Sequence, residues 1–507
     1  MDYPAKRGFP EMPGTEQEGL ERARKPETRG TLLGGFEYES RPSAKHEHRN
    51  EDAIGGDMDR IERDISQAEA GELPIMTTDM KFDTTAVLNA ARREAQYAVP
   101  CIENGTDWVI DGASGEEMEM DTGTGKVKLE GVGMVASRIA SAEIARVMSG
   151  LPKDADDAAA IENMRQAILT ADKTMRTYKD LAVRRKPADQ QEGRAFELKN
   201  AGCAATLFNK KENEDGTVDI RYASIGDTAM SVFDSKTGEL RPVTRPGDLP
   251  TFLLDVGGLT EKEIEYVMSV RKDDKGIPPH LKAAVMSRQG IMKSVGGASK
   301  MDTGLYLQLL DTASSFSSDE KQLIRSTERP EDLVEALVDP AKLPRIRKAL
   351  EYRAKLKAAG GEIKMNEPDT GVVKLRPGER LIAYSDGLDG NLSPEEIRDA
   401  LARGMNLAEA ARAKGKKEDD ISIVEFEAPM TRTDEKEFEE IGLEEAEEVA
   451  DAAELAALDE KRLESAREDI EEMELDIDDE DVEVIPEPPP IPTAKKGGLF
   501  GGLFGRR

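Results

Sequence analysis

The sequence predicts a mixed α+β fold in which antiparallel strands share the chain with long amphipathic helices. Two observations predict it. Apolar runs at Cys203–Phe208, Val218–Ser224 and Met230–Phe233 are joined by the turns Glu214-Asp215-Gly216 and Ile225-Gly226-Asp227. Connections that short join antiparallel neighbours, because a parallel crossover needs a dozen or more residues. Apolar residues at helical spacing then run through 134–149 (Val135, Ile139, Ala142, Ile144, Val147) and 157–182 (Ile161, Met164, Ile168, Leu169, Met175).

In chain order, residues 1–30 are rich in Pro, Gly and charge and read as a disordered arm. Order is expected from Thr31, with strand-like alternation toward Glu39, followed by a polar loop from Lys45 to Ala53. Residues 54–80 read as polar and loosely helical, and 83–96 as a helix with Asp83 as its cap. Asp107 to Gly115 is an apolar strand ending in Asp111-Gly112, followed by a Gly- and Glu-rich loop over 112–131. Beyond the three strands of the opening, residues 260–302 and 317–360 read as mostly helical, the second punctuated by Pro330, Pro340 and Pro344. Strand signals return at Val372–Leu375, at Arg380–Tyr384 before Ser385-Asp386-Gly387, and at Ile421–Phe426 after Asp419-Asp420.

Charge divides the chain. Residues 431–487 hold 26 Asp or Glu against 5 Lys or Arg, a net −21 that leaves −11 of the total −32 for the other 450 residues. The body is thus mildly acidic, without the basic clusters that phosphate-backbone binding needs, and no nucleic-acid partner is expected. Residues 434–475 have apolar positions at helical spacing, in a segment weakened by like-charge repulsion. Pro486–Pro492 reads as extended, and the chain ends in a doubled Gly-Gly-Leu-Phe between Lys495-Lys496 and Arg506-Arg507. Exposed Phe at a chain end is costly in solubility unless bound. The terminal Leu-Phe pairs are therefore expected to dock on a partner groove or a membrane surface, and the acidic segment to act as a solubilising extension. Cys101 and Cys203 are too few for a disulfide framework and read as small core residues. No apolar run approaches the ~20 residues of a transmembrane helix. The first residues lack a signal-peptide pattern, so a cytoplasmic setting is expected.

Four acids, Asp52, Asp111, Asp386 and Asp419, each stand at the edge of an expected strand, two of them as Asp-Gly at its end. Carboxylates and backbone carbonyls are hard oxygen ligands suited to Mg²⁺ or Mn²⁺. Each acid alone is an ordinary turn residue. Several converging from different segments are what a pair of such ions requires, and such a pair can acidify a water and clamp an in-line displacement at phosphorus.

The order of these stretches resembles the metal-dependent, type 2C (PPM) protein Ser/Thr phosphatases, bacterial type. The motifs are Arg49-Asn50-Glu51-Asp52-Ala53, Val109-Ile110-Asp111-Gly112-Ala113-Ser114-Gly115, Gly202-Cys203-Ala204-Ala205-Thr206-Leu207 and Ala223-Ser224-Ile225-Gly226-Asp227-Thr228-Ala229. They continue with Pro377 to Leu388 and with Asp419-Asp420-Ile421-Ser422-Ile423-Val424. Together they cover roughly residues 31–428. Each is loose alone; six in the right order are specific.

The resemblance implies a four-layer α-β-β-α sandwich of two antiparallel sheets flanked by helices, with the acidic tail helical or disordered. It implies a phosphatase domain at 31–428 with a helical insertion at about 303–362, an acidic segment at 429–485 and a Pro-rich, basic Gly-Leu-Phe tail at 486–507. It implies hydrolysis of phosphoserine and phosphothreonine in phosphorylated proteins by water activated between two Mn²⁺ or Mg²⁺ ions. Carried over by position, Asp52 holds one ion, Asp111 bridges the pair, the Gly112 carbonyl binds the second, and Asp386 and Asp419 complete the first site. Asp227 helps hold a third, weaker ion. The chain departs from the pattern in the residues around the phosphate. Glu47 stands where many members have the Arg that grips it, which leaves Arg49 as the candidate grip. Ala113 replaces the acid His of eukaryotic members, with His46 and His48 as other proton sources, and Ala229 replaces an Arg after Gly-Asp. After Ser385-Asp386-Gly387-Leu388, where many members have another Asp two residues on, Asp389 stands one residue on and is followed by Gly390. These departures keep a second function open, that of a catalytically weak or inactive pseudophosphatase serving as a regulatory binding module.

Overall fold

A computed structural model of the chain describes residues 28–430, apart from 32–35, 43–48, 114–117, 122–125, 130, 200, 271–274, 287–291, 298–299, 336–337 and 416–418. The acidic segment and the Leu-Phe tail lie outside the described residues, as do His46, Glu47 and His48.

The strands are β1 (Thr28–Thr31), β2 (Glu37–Arg41), β3 (Ala53–Ile54), β4 (Thr106–Ala113), β5 (Met118–Asp121), β6 (Lys126–Leu129), β7 (Gly202–Glu212), β8 (Val218–Ile225), β9 (Ala229–Asp234), β10 (Glu239–Pro242), β11 (Lys300–Asp302), β12 (Glu362–Lys364), β13 (Asp369–Leu375), β14 (Glu379–Tyr384) and β15 (Ile421–Glu427). Two sheets dominate. One runs β1-β2-β15-β14-β9-β10, the other β13-β8-β7-β4-β3, and all pairings within them are antiparallel.

Side chains alternate across each strand, so a strand buried on both faces feeds two cores. Val109 in β4 faces a core that also holds Phe208, Ile220, Met230, Val232, Leu381, Val424 and Phe426, residues of both sheets. Its neighbours Trp108 and Ile110 face the opposite way, into a core with Ile144, Met164 and Ile168 from the helices Val132–Met148 and Asp157–Arg184. β14 repeats this: Leu381 and Ala383 face the other sheet. Ile382 and Tyr384 pack with Ile397, Leu401 and Leu407 of the helices Pro394–Ala402 and Leu407–Lys414. The result is the expected α+β architecture, two antiparallel sheets face to face with helices on both outer surfaces.

Several local expectations change. Thr28–Thr31 pairs with β2, so strand pairing begins inside the stretch read as a disordered arm. Asp83 does not cap a helix. The helix starts earlier, at Met80, and Asp83 is buried inside it, taking a bond from Arg194 Nη2 at 2.5 Å and another from the Tyr178 hydroxyl. The loop at 112–131 contains the hairpin β5-β6. Among the described residues, 260–302 carry the short helices Glu261–Ser269 and Lys282–Met286 and the strand β11. A separate hydrophobic core gathers Leu249, Phe252, Leu253, Tyr306, Leu310, Ile346, Leu350 and Met365. The helical insertion expected at about 303–362 therefore shares its core with residues from Leu249 onward. Cys101 and Cys203 are buried free thiols, the former donating to the Ala145 carbonyl. Among the described residues no helix is long and apolar enough to cross a membrane.

Candidate functional site

The antiparallel register brings one set of strand ends together. Asp111 lies near the end of β4, where Ala53 of β3 pairs with Ile110, so Asp52 just before β3 stands beside it. Tyr384 at the end of β14 pairs both with Ala229 at the start of β9 and with Ile423 near the start of β15. Asp386 therefore follows β14, Asp419 precedes β15 and Asp227 precedes β9 at that same end.

Two glycines are required by the crowding there. A Cβ on Gly112 would lie 2.5 Å from the Glu51 carbonyl oxygen and 2.6 Å from that of Gly133. A Cβ on Gly387 would lie 1.9 Å from the Asp420 carbonyl oxygen. The two Asp-Gly pairs thus let backbone from other segments close onto the acids.

The carboxylates sense one another. Burial and the charges of Asp52, Asp386, Asp419 and Asp227 hold the Asp111 carboxyl well above the usual carboxylate range. Burial and then the charge of Asp419 push Asp52 up to about 7, against hydrogen bonds from the Ser385 and Ser422 hydroxyls. The other four predicted acids therefore all fall within electrostatic reach of Asp111, and the charges acting most strongly on it are all negative. The Asp386 N–H donates to Asp111 Oδ2 at 3.3 Å, tying the two strand ends directly. Asp52 and Asp227 are buried; Asp111, Gly112, Asp386 and Asp419 are partly open to solvent.

Do these groups suit divalent cations? The donors are hard oxygens, and Asp52 Oδ2 is buried with no hydrogen-bond partner, a costly state that a cation would relieve. Among the described residues no three acidic, His or Cys side chains close into a ready-formed ligand set around one point. The other acids stand within electrostatic reach of Asp111 rather than in closest packing. The chemistry of the donor set and the unpartnered Asp52 oxygen fit Mg²⁺ or Mn²⁺.

Arg49 is buried, with its Nε 3.0 Å from Glu51 Oε1. Its guanidinium is thus engaged by a neighbouring acid. The sequence reading missed a supporting layer. Asp420 turns inward and accepts from the Glu51 N–H at 2.6 Å. Ser385 and Ser422 lock β14 to β15, the Ser385 N–H donating to the Ser422 carbonyl and the Ser422 N–H to Ser385 Oγ, each at 2.9 Å. Ser422 Oγ meets Ser40 Oγ at 2.6 Å, and the Asn50 amide donates to Ser40 Oγ at 2.8 Å. Polar residues at inward-facing strand positions were the available signal for these.

No family model and no curated protein matches the chain. Solved structures similar to it are bacterial serine/threonine phosphatases. They include the Mycobacterium tuberculosis phosphatase PstP/Ppp, at 15% identity and a TM-score of 0.35, covering 64% of this chain and 88% of that one. Stp1 from Staphylococcus aureus is 14% identical with a TM-score of 0.39, over 78% of this chain and 94% of that one. The PPM phosphatase MsPP from Mycobacterium smegmatis, in complex with cacodylate, is 13% identical with a TM-score of 0.37, over 79% and 100%.

Proposed function

We propose that the chain is a metal-dependent protein phosphatase of the PPM type that hydrolyses phosphoserine and phosphothreonine in protein substrates, in a cytoplasmic setting. The observation that carries this is the convergence of Asp52, Asp111, Asp227, Asp386 and Asp419 at one end of a double-sheet sandwich, with the strongest charges on Asp111 all negative. Five acids so placed destabilise the fold on their own. The arrangement is reasonable only if cations join it.

In this proposal Asp52, Asp111, Asp386, Asp419 and the Gly112 carbonyl hold two Mg²⁺ or Mn²⁺ ions, and Asp227 helps hold a third. Ions bound there supply Lewis acidity toward phosphoryl oxygens and an acidified water. The chain's own part is to gather the carboxylates and aim them. Ser385 and Ser422 orient Asp52 by hydrogen bonds to its carboxylate. Arg49 grips the substrate phosphate by exchanging Glu51 for it. Ala113 offers no proton, so water or a residue outside the stretch Asp107 to Gly115 protonates the leaving alkoxide.

Hydrolysis of a chromogenic phosphate ester, with Mn²⁺ and then with chelator, tests the activity, and a phosphothreonine peptide tests the substrate class. Turnover that needs Mn²⁺ supports the proposal; turnover unaffected by chelator refutes it. The Arg49–Glu51 ion pair favours a second reading, a pseudophosphatase without phosphate grip. Calorimetry separates the two: a protein that binds Mn²⁺ but turns over neither substrate is the second.

A further inference from the structure

The strand-end acids have an inner support that no motif points to. The helix Val132–Met148 is made of small and apolar residues apart from a few, and Arg138 in its middle is only 1% exposed. Its Nη1 donates to the Asp52 carbonyl and its Nη2 to the Asn50 carbonyl at 2.9 Å. The adjacent Ser137 hydroxyl donates to the Glu51 carbonyl. One helical turn thus takes up three successive carbonyls of the segment that presents Asp52. Asp64 in turn fixes the guanidinium, accepting from Arg138 Nε at 2.7 Å. Arg60 bridges Asp64, at 3.3 Å, to Glu94, and Glu94 accepts from Ser141 Oγ at 2.6 Å.

We propose that Arg138 is a positioning residue that sets the reach of Asp52 toward the cations, through the backbone of residues 50–52. This rests on the functional reading above. A guanidinium is suited to the task because its planar fork donates in several fixed directions at once. It satisfies Asp64 and two carbonyls together, whereas an ammonium cannot span all three. The carbonyls of residues 50 and 52 point into the helix, so the Asp52 side chain is turned toward Ser385, Ser422 and Asp419. Arg138 touches neither substrate nor cation. Partners of metal ligands typically change metal affinity or activity about 10–100-fold when lost.

The test uses the full-length chain, stripped with chelator, in four forms: wild type, Arg138→Lys, Ser137→Ala and Ser141→Ala. Mn²⁺ affinity is measured by calorimetry and folding by thermal melting. Arg138→Lys keeps a positive charge at Asp64 but releases the carbonyls, and is expected to weaken Mn²⁺ binding about 10–100-fold. Ser137→Ala removes the hydroxyl that donates to the Glu51 carbonyl and accepts from Arg138 Nη1 at 3.1 Å, leaves Arg138 on the carbonyls of Asn50 and Asp52, and is expected to weaken it less. Ser141→Ala cuts the same network one turn along, at Glu94 and the Trp108 indole, and should lower the melting temperature with no change in affinity. Wild-type affinity in folded Arg138→Lys, or an equal loss in Ser141→Ala, overturns the inference. If Arg138→Lys does not fold, unchanged affinity in Ser137→Ala overturns it. A wild type that binds no Mn²⁺ overturns both this and the functional reading.

Discussion

Two clusters of carboxylates lie about the segment at residues 50–52, and Asp111 in one and Asp64 in the other are shifted in opposite directions. On one side Asp52 and Asp111 are raised by burial and by other acids. On the other, Asp64 is as buried as Asp52, yet the charges of Arg138 and then Arg60 overcome its burial and hold it below the usual range. Residue type does not distinguish them; the source of the counter-charge does. The Asp64 cluster carries its cations, Arg138 and Arg60, on the chain. The charges acting most strongly on Asp111 are negative, and in the proposed function its counter-charge is supplied by bound cations. A buried ion pair is weak evidence for stability, but losing one partner is costly, and that asymmetry lets the two clusters be told apart.

The largest expected effect is on turnover. Asp111→Asn removes the proposed bridging ligand and should lower Mn²⁺-dependent hydrolysis by more than about 100-fold, beyond what loss of a supporting partner costs. In chelator the same variant should melt higher than wild type, because it removes one of several repelling charges. A lower melting temperature would mean that Asp111 has a counter-charge within the chain.

Next is Asp64→Ala, which leaves the Arg138 and Arg60 guanidinium groups short of a partner. It should destabilise the protein by about 3–5 kcal/mol in denaturant titration. A change under about 1 kcal/mol would show that this cluster does not depend on these ion pairs.

The pH dependence separates the clusters further. For Asp52 the folded pKa, about 7, exceeds the ordinary 3.8. The folded state then binds the proton more tightly, and this group's contribution to stability falls as pH rises between those values. Asp64 has the reverse sign. Its lowered folded pKa contributes stability above 3.8 that is lost as pH falls through the folded value. Melting curves in chelator from pH 4 to 7 should flatten in Asp52→Asn, and saturating Mn²⁺ should flatten them in the wild type. The smallest effect is expected at the surface. Arg92 and Glu69 pair at 2.6 Å with each side chain more than half exposed, and Arg92→Ala should change stability by no more than about 0.5 kcal/mol.

Much of this was legible in the sequence. The turn at Glu214-Asp215-Gly216 does join the antiparallel pair β7-β8, whereas Ile225-Gly226-Asp227, expected to join antiparallel neighbours too, carries the chain from β8 in one sheet to β9 in the other, because a short connection can also cross between two stacked sheets. The acids at strand ends were visible because Asp-Gly marks a strand tip, and antiparallel register then gathers alternate tips at one end. What stayed hidden was long-range. Asp83 looked like a helix cap because its partner Arg194 is 111 residues away. The Leu249–Met365 core could not be bounded because its helices are short and their apolar residues meet only in the fold. Arg138 carries no signal of its own in the sequence. Nothing local reveals that three carbonyls from residues 50–52 wait for it and for Ser137.

The most direct test of the central claim is a titration of Mn²⁺ into chelator-stripped full-length protein, with hydrolysis of a chromogenic phosphate ester followed at each step. The account predicts a rate that starts near zero, rises with Mn²⁺ to saturation, and fails to rise in Asp111→Asn. Hydrolysis already present in chelator and unchanged by Mn²⁺, or an Asp111→Asn protein that responds like the wild type, would contradict it.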